Sequence, residues 1–338
     1  MKRKVAVANE AALKYLLLGA FSTGFLLYGI SLLYGATGST LLPVIIAEIQ
    51  QNGSGNPLVI VGIALVVVAM SFKIAIVPFH MWTPDVYTGA PTPVTGFLSG
   101  AAKAAGFAVF IRVLMTGIPI EGANWENLFW TLAVLTMTVG NLMALRQNEV
   151  KRMLAYSSIA HAGYVLVAIT VGSTSAISGV IFYSCAYALM GTGAFGILTI
   201  RDAGRLPTTF DDLAGYAKRN PTLALLMSLF IFSLVGLPLT GGFIGKFQIF
   251  SAALEGGWIW LTVIGILNSA LSVYYYLRVV MFMYMREGAL PDGTVVSSGN
   301  TSRFALTGLL LTALAVVYLG IFPDQILELA SLSILALL

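Results

Sequence analysis

Nine long runs of apolar residues constrain the fold of this chain more than any other feature of its sequence. An α-helix needs about 20 apolar residues to cross the roughly 30 Å of hydrocarbon in a bilayer. The runs cover approximately residues 11–34, 57–88, 92–116, 127–145, 154–172, 176–200, 221–251, 258–285 and 303–322. They predict an all-α membrane protein, a polytopic bundle of about nine transmembrane helices in a single transmembrane domain over residues 1–338.

The composition excludes several other classes of protein. Of the 338 residues, 58% are hydrophobic and only 9% are charged, whereas about a quarter of the residues in soluble domains are charged. The 18 lysines and arginines are scattered between the apolar runs, which argues against a nucleic-acid-binding face. Cys185 is the single cysteine, so we predict no disulfide, no metal site and no redox cofactor held by thiolates.

Two of the nine runs, 57–88 and 221–251, are too long for one straight crossing, and both contain helix-breaking residues. These are Pro78 and Pro84 in the first, and Gly236, Pro238, Gly241, Gly242 and Gly245 in the second. Interrupted helices in transporters free backbone groups to line a hydrated cavity. The alternative is an ordinary proline kink without an ion path. We predict two interrupted helices.

The loops carry a charge asymmetry that predicts an orientation. Lysine and arginine are enriched in cytoplasmic loops. With the N-terminus inside, the cytoplasmic segments hold Lys2, Arg3, Lys4, Arg146, Lys151, Arg152, Arg201, Arg205, Lys218, Arg219, Arg286 and Arg303, and the opposite loops hold Glu48, Glu121, Glu126 and Glu255. Nine crossings then place the C-terminus outside.

Three lysines, Lys73, Lys103 and Lys246, lie deep in apolar sequence. Lys103 is eleven residues into its run, which at 1.5 Å per residue is roughly 16 Å from the helix end. Charged residues at that depth usually face a bundle interior or a water-filled cavity and mark an ion or proton path. The alternative is a lysine that pairs with a buried carboxylate and only braces two helices.

The types and positions of these residues favour proton transfer. A buried lysine can release its proton, whereas an arginine stays charged. Lys73 lies just before the first predicted break and Lys246 just after the second. His161, two turns into the fifth helix, is a candidate relay because its ring has two nitrogens and titrates near neutrality. A neutral histidine that is hydrogen-bonded inside the bundle is an equally good interpretation of that residue alone.

Several motifs resemble the antiporter-like membrane subunits of respiratory complex I, the NADH-quinone oxidoreductase. The long segment Ser71–Val94, SFKIAIVPFHMWTPDVYTGAPTPV, is followed by KAAGF from Lys103. The segments LKYLLLGAF from Leu13, LAYSSIAHAGY from Leu154 and YYYLR from Tyr274 are most similar to the N-type subunits of that family. The resemblance covers nearly the whole chain.

The resemblance implies a proton-translocating subunit with no redox centre, which works in a bacterial inner membrane. Quinone reduction elsewhere in the complex would drive it, and its partners would be other membrane subunits and the lipid bilayer. Lysines matching Lys73, Lys103 and Lys246 are the central proton carriers of the family, and the histidine matching His161 links them. We expect quinone chemistry to alter proton affinity near Lys73, and this change to pass through Lys103 and His161 to Lys246.

The family also implies a larger fold of about fourteen helices built from two repeats. Here residues 1–116 would be the remainder of the first repeat, 127–285 the second, and 303–322 the last helix. The family carries a glutamate on an earlier helix, which pairs with the lysine matching Lys73. No carboxylate of this chain is available for that role. Either the sequence is an N-terminal truncation, which is the favoured interpretation, or the partner carboxylate comes from another chain.

Two other functions are compatible with the sequence. The D-type subunit of the multisubunit cation/proton antiporters shares the pattern of lysines and broken helices but works without a quinone reductase. A structural scaffold would use its lysines only as braces between helices and would have no ion path of its own.

Overall fold

Helices are the only regular elements in the residues that the structure describes, apart from one isolated antiparallel bridge between Glu149 and Thr209. The computed structural model describes residues 6–52, 55–117, 125–202, 208–287 and 302–335. The helices are α1 (Ala6–Thr37), α2 (Leu42–Asn52), α3 (Pro57–Ile74), α4 (Trp82–Gly89), α5 (Thr92–Phe97), α6 (Lys103–Gly117), α7 (Trp125–Leu145), α8 (Val150–Val171), α9 (Thr174–Asp202), α10 (Tyr216–Arg219), α11 (Pro221–Val235), α12 (Gly241–Glu255), α13 (Ile259–Met285), α14 (Arg303–Ile321) and α15 (Asp324–Leu335). A π-helical turn, Leu98–Ala102, joins α5 to α6. The predicted all-α class is confirmed.

The helices match the predicted crossings closely. In the described chain, eight helical segments are long and apolar enough to cross a membrane, and each coincides with one of the nine apolar runs. The remaining run, 221–251, is divided between α11 and α12, which have 15 residues each. The sequence did not predict α2 and α15, because their 11 and 12 residues are too few to cross a bilayer.

Both predicted helix breaks are present. In the first interrupted run, 57–88, α3 ends at Ile74. The next residue, Ala75, adopts a left-handed conformation with φ of 62° before Pro78. The second break begins at Gly236, whose φ of 90° suits a residue without a Cβ. The loop that follows α3 contains Pro78 and the loop that follows α11 contains Pro238. A proline lacks the N–H needed to continue a helix.

One helix, α8, forms the centre of the bundle. Almost all of its residues are buried, and it contacts α4, α7, α9, α12 and α13. It also carries buried polar side chains, among them Ser157, Ser158 and His161, and polar residues within membrane helices almost always face the interior of a bundle. The position of α8 therefore places His161, at its middle, far from lipid and close to several neighbours.

Reciprocal glycines bring α7 and α8 into close contact. A Cβ at Gly163 of α8 would lie 2.6 Å from the backbone nitrogen of Met137 on α7, and one at Gly140 of α7 would lie 2.6 Å from the nitrogen of Ala160. Small residues allow such close approach in membranes, where packing rather than the hydrophobic effect holds helices together.

We expect Gly163→Ala to destabilise the subunit by about 1–3 kcal/mol, because overpacking forces the two backbones apart. Thermal unfolding in detergent should show a lower midpoint. The control is Gly24→Ala on α1, where a Cβ meets nothing within 4 Å. Equal midpoints for the two variants would contradict the role given to this contact.

Some residues used in the predicted orientation lie outside the described residues. They are Lys2, Arg3, Lys4, Glu121 and Arg205. The grouping of the helices into two repeats stays a prediction.

Candidate functional site

Lys103 is buried where three helices meet. It opens α6, directly after the π-helical turn, and only 4% of its surface is exposed. Its Nζ donates hydrogen bonds to the carbonyl oxygen of Ser158 at 2.6 Å and to the Ser158 hydroxyl at 2.8 Å. Turns of π-helix occur often at functional sites. The amine thus contacts α8 through uncharged oxygens.

Lys246 is equally buried and lies against the second break. Its Nζ donates to the carbonyl oxygens of Leu234 at 3.0 Å and Val235 at 2.9 Å, at the end of α11. A third bond reaches the Ser269 hydroxyl of α13 at 3.0 Å, and the amine lies 5.0 Å from the ring centre of Tyr164. The last carbonyls of a helix have no partner within that helix and carry partial negative charge. The break therefore supplies the acceptors that hold this cation.

Both ring nitrogens of His161 are hydrogen-bonded to tyrosine hydroxyls. Nδ1 bonds to Tyr183 of α9. Nε2 bonds to Tyr276 of α13 at 2.8 Å, and the same hydroxyl bonds to Ser157. A neutral imidazole donates from one nitrogen and accepts at the other. His161 can therefore take a proton from one hydroxyl and release one to the other.

Lys103 and His161 line the same small cavity. Its volume is about 10 Å³, and both residues line it together with Ser158, Tyr183 and Ser184. This volume is about the minimum that holds one water molecule. The structure thus places the predicted lysine and the predicted histidine on the same internal space.

A second polar cluster lies between α7 and α13, next to Tyr164. Asn141 donates to the Tyr164 hydroxyl at 3.3 Å and to the Asn268 side-chain oxygen at 3.1 Å, and it accepts from the Tyr275 hydroxyl at 2.9 Å. Sequence reasoning missed Asn141 and Asn268, although a buried asparagine inside an apolar run is a detectable signal. This cluster connects Tyr164, which faces Lys246, with Tyr275, the chain neighbour of Tyr276.

Lys73 is not buried inside the bundle, although the sequence predicted three lysines that face its interior. It lies in the last turn of α3 and is exposed in the described chain. The reason is that α3 packs against α1 and α6, which leaves another face of the helix open. Its stem passes beside Gly106 of α6. The structure brings Lys103 and His161 to the same cavity and places Lys246 against the ring of Tyr164, which packs against His161, but it does not bury Lys73.

A group of charges links the first broken helix to α1 and α8. The Asp85 carboxylate accepts from Lys14 at 2.7 Å and from Arg152 at 2.8 Å, and Lys14 also pairs with Glu10 at 2.6 Å. Asp85 lies beyond the first break, in the first turn of α4. It is not paired with Lys73.

The site has the groups needed for proton transfer. Two buried amines, one histidine and several hydroxyls are held by hydrogen bonds, all of them to neutral oxygen or nitrogen atoms. Within the described ranges, no three histidine, cysteine or carboxylate side chains are grouped as metal ligands.

Comparison with known proteins identifies the family. A family model described as NADH:quinone oxidoreductase/Mrp antiporter, TM, matches residues 1–272. NADH-quinone oxidoreductase subunit N of Trichlorobacter lovleyi is 50% identical over 325 residues, which are 96% of this chain and 66% of that relative. The chain thus spans just under two thirds of the length of that curated relative.

Solved structures agree with this assignment. A chain of respiratory complex I from Thermus thermophilus, with bound aureothin, aligns with a TM-score of 0.77 at 36% identity, over 94% of this chain and 68% of that one. A chain of the Mrp complex from a Dietzia species aligns with a TM-score of 0.84 at 22% identity, over 96% and 67% of the two chains, and shares the fold. This multi-pass membrane chain belongs to the NADH:quinone oxidoreductase/Mrp antiporter family, and the predicted resemblance to the N-type subunits of complex I is confirmed.

Proposed function

We propose that this chain is the proton-translocating part of subunit N in a NADH-quinone oxidoreductase. Quinone reduction elsewhere in the complex would drive proton movement through Lys103, His161 and Lys246, with Lys73 receiving the signal from the quinone side. The observation that carries the proposal is the buried arrangement of Lys103, a water-sized cavity and His161 between two tyrosine hydroxyls.

The chemistry of these groups supports proton relay. Lysine is a cation that can become neutral when buried, and each change of state alters the electric field on its neighbours. His161 accepts at one nitrogen and donates from the other. A proton that arrives from Lys103 would therefore leave toward Tyr276, and Lys246 would respond to the change in charge.

The lysines could instead be braces in a structural scaffold. Bracing lysines are expected to pair with buried carboxylates, since an unpaired charge in the membrane is costly. Among the described residues, neither Lys103 nor Lys246 forms an ion pair with a carboxylate. Their neutral partners support the relay.

The charge distribution supports a cytoplasmic N-terminal end in a bacterial inner membrane, with the C-terminus outside. Arg278 donates to the carbonyl oxygen of Gln147 in the α7–α8 loop, and Arg152 of the same region pairs with Asp85. Several cations thus gather at the end of the bundle that holds this loop, as the positive-inside rule requires of a cytoplasmic face. The partners would be other membrane subunits of the complex and the surrounding lipid.

The second candidate function is that of the D-type subunit in a multisubunit cation/proton antiporter. The fold shared with the Mrp complex favours it. The two functions differ in their energy source, because only the oxidoreductase couples transport to electron flow.

Membrane vesicles that contain the full-length subunit in its complex distinguish the two functions. We expect NADH oxidation to acidify inverted vesicles without any requirement for sodium, and a quinone-site inhibitor to stop both processes. A fluorescent pH probe measures the acidification. Sodium-dependent proton exchange that persists without NADH would overturn the proposal and favour the antiporter.

A further inference from the structure

The cavity between α6, α8 and α9 contains a hydroxyl that the proposed relay has not used. Ser184 of α9 lines the cavity beside Lys103 and Tyr183. Its Oγ is buried and has no hydrogen-bond partner among the described residues. Nearly all buried polar side-chain atoms in proteins have a partner, either in the protein or in ordered water.

The Lys103 amine has a proton available for this cavity. A protonated lysine has three N–H donors. Two of them satisfy the carbonyl and the hydroxyl of Ser158. Since Lys103 lines the cavity, the third donor is available to a molecule inside it.

The cavity is connected to the imidazole ring of His161 through Tyr183. Both nitrogens of His161 already bond to tyrosine hydroxyls, Nδ1 to Tyr183 and Nε2 to Tyr276. Tyr183 lines the cavity as well as bonding to His161. A molecule in the cavity therefore reaches the histidine through the Tyr183 hydroxyl.

We propose that the cavity holds one water molecule and that the Ser184 hydroxyl orients it between Lys103 and Tyr183. A buried water needs two to four polar partners, and these three residues supply them. The inference rests on the proposed function and adds Ser184 as a positioning residue. It also makes Tyr183 the group that delivers the proton to His161.

The transfer balances without any further reactant. The water accepts a proton from Lys103 Nζ and gives one of its own to the Tyr183 oxygen. Tyr183 passes its original proton to His161 Nδ1. One N–H bond breaks at the lysine and one forms at the histidine, while water and tyrosine are regenerated.

The test uses two isosteric variants in the full-length subunit and its complex, in inverted membrane vesicles. Ser184→Thr keeps the hydroxyl and adds a methyl group, and Ser184→Val has the shape of threonine but no hydroxyl, so the two variants differ only in the hydroxyl. We expect Ser184→Val to lower the ratio of the pumping rate to the NADH oxidation rate by about tenfold, the effect of one lost hydrogen bond on a rate. Ser184→Thr should keep most of the wild-type ratio.

The matched control is Ser178→Val on the same helix. The Ser178 hydroxyl bonds to the carbonyl oxygen of Thr174 within α9 at 2.9 Å, so this variant should pump normally. If the Ser184→Val complex does not assemble, Ser184→Ala is compared with Ser184→Thr in its place. Normal pumping without the hydroxyl, or equal losses in Ser184→Thr and the variant that lacks it, would overturn the inference.

A Lys103→Met complex in the same assay separates this inference from the proposed function. If Lys103→Met stops pumping and Ser184→Val does not, the inference that Ser184 orients a water molecule is wrong, whereas the proposed proton relay through Lys103 is not contradicted. If Lys103→Met pumps normally, the proposed function itself is wrong.

Discussion

Replacing Lys103 with methionine is expected to lower proton pumping by about 100-fold or more, the effect of removing a group that transfers a proton. Methionine keeps a long unbranched side chain, so the space between α6 and α8 stays filled. The complex should assemble and oxidise NADH with an artificial acceptor at the normal rate. The measurement is NADH-driven acidification of inverted vesicles, normalised to assembled complex.

Lys103→Arg provides the sharper comparison. Arginine retains the positive charge and can donate to Ser158, but it does not release its proton. A relay therefore predicts that Lys103→Arg pumps as poorly as Lys103→Met. If Lys103 only holds the helices together, the arginine variant should pump protons at the wild-type rate. Wild-type pumping in Lys103→Arg would thus contradict the relay and support the scaffold.

The sequence predicted the broken helices because the signals are local. Pro78, Gly236 and Pro238 interrupt apolar runs that exceed the length of one crossing, and backbone chemistry at these residues ends a helix whatever its neighbours are. Lys103 and Lys246 were found for a similar reason, since a cation deep in an apolar run usually faces the interior of the bundle. Their burial confirms that argument.

The partners of His161 could not be predicted in the same way. Tyr183 and Tyr276 reach the imidazole from α9 and α13, and tyrosine in a membrane helix has many other roles, such as packing at the lipid interface. Only the arrangement of helices around α8 selects these two. The same limit applies to Ser184, whose role depends on the shape of a cavity.

Lys73 illustrates a further limit. Its sequence context matches that of the other two lysines, yet it is exposed in the described chain. Apolar flanking sequence shows that a residue lies in a membrane helix, but which side of that helix is covered depends on neighbours such as α1 and α6. Depth in the membrane and burial in protein are therefore separate properties.

Replacing Lys246 with methionine is expected to stop pumping and also to destabilise the subunit. The amine donates to the carbonyl oxygens of Leu234 and Val235 at the end of α11, and an unsatisfied buried group costs about 1–3 kcal/mol. The thermal midpoint in detergent should therefore be lower than that of the wild-type subunit.

The control for Lys246 is Lys218→Met, which removes a lysine whose side chain is 77% exposed and lies 3.8 Å from Glu287. Exposed ion pairs contribute about 0–1 kcal/mol, so this variant should change neither the midpoint nor the pumping. Lys246 differs because its amine holds the end of α11 through two hydrogen bonds and, in the proposed relay, also responds to the charge on His161. A Lys246→Met subunit that melts earlier yet pumps normally would separate these roles and leave the lysine only the structural one.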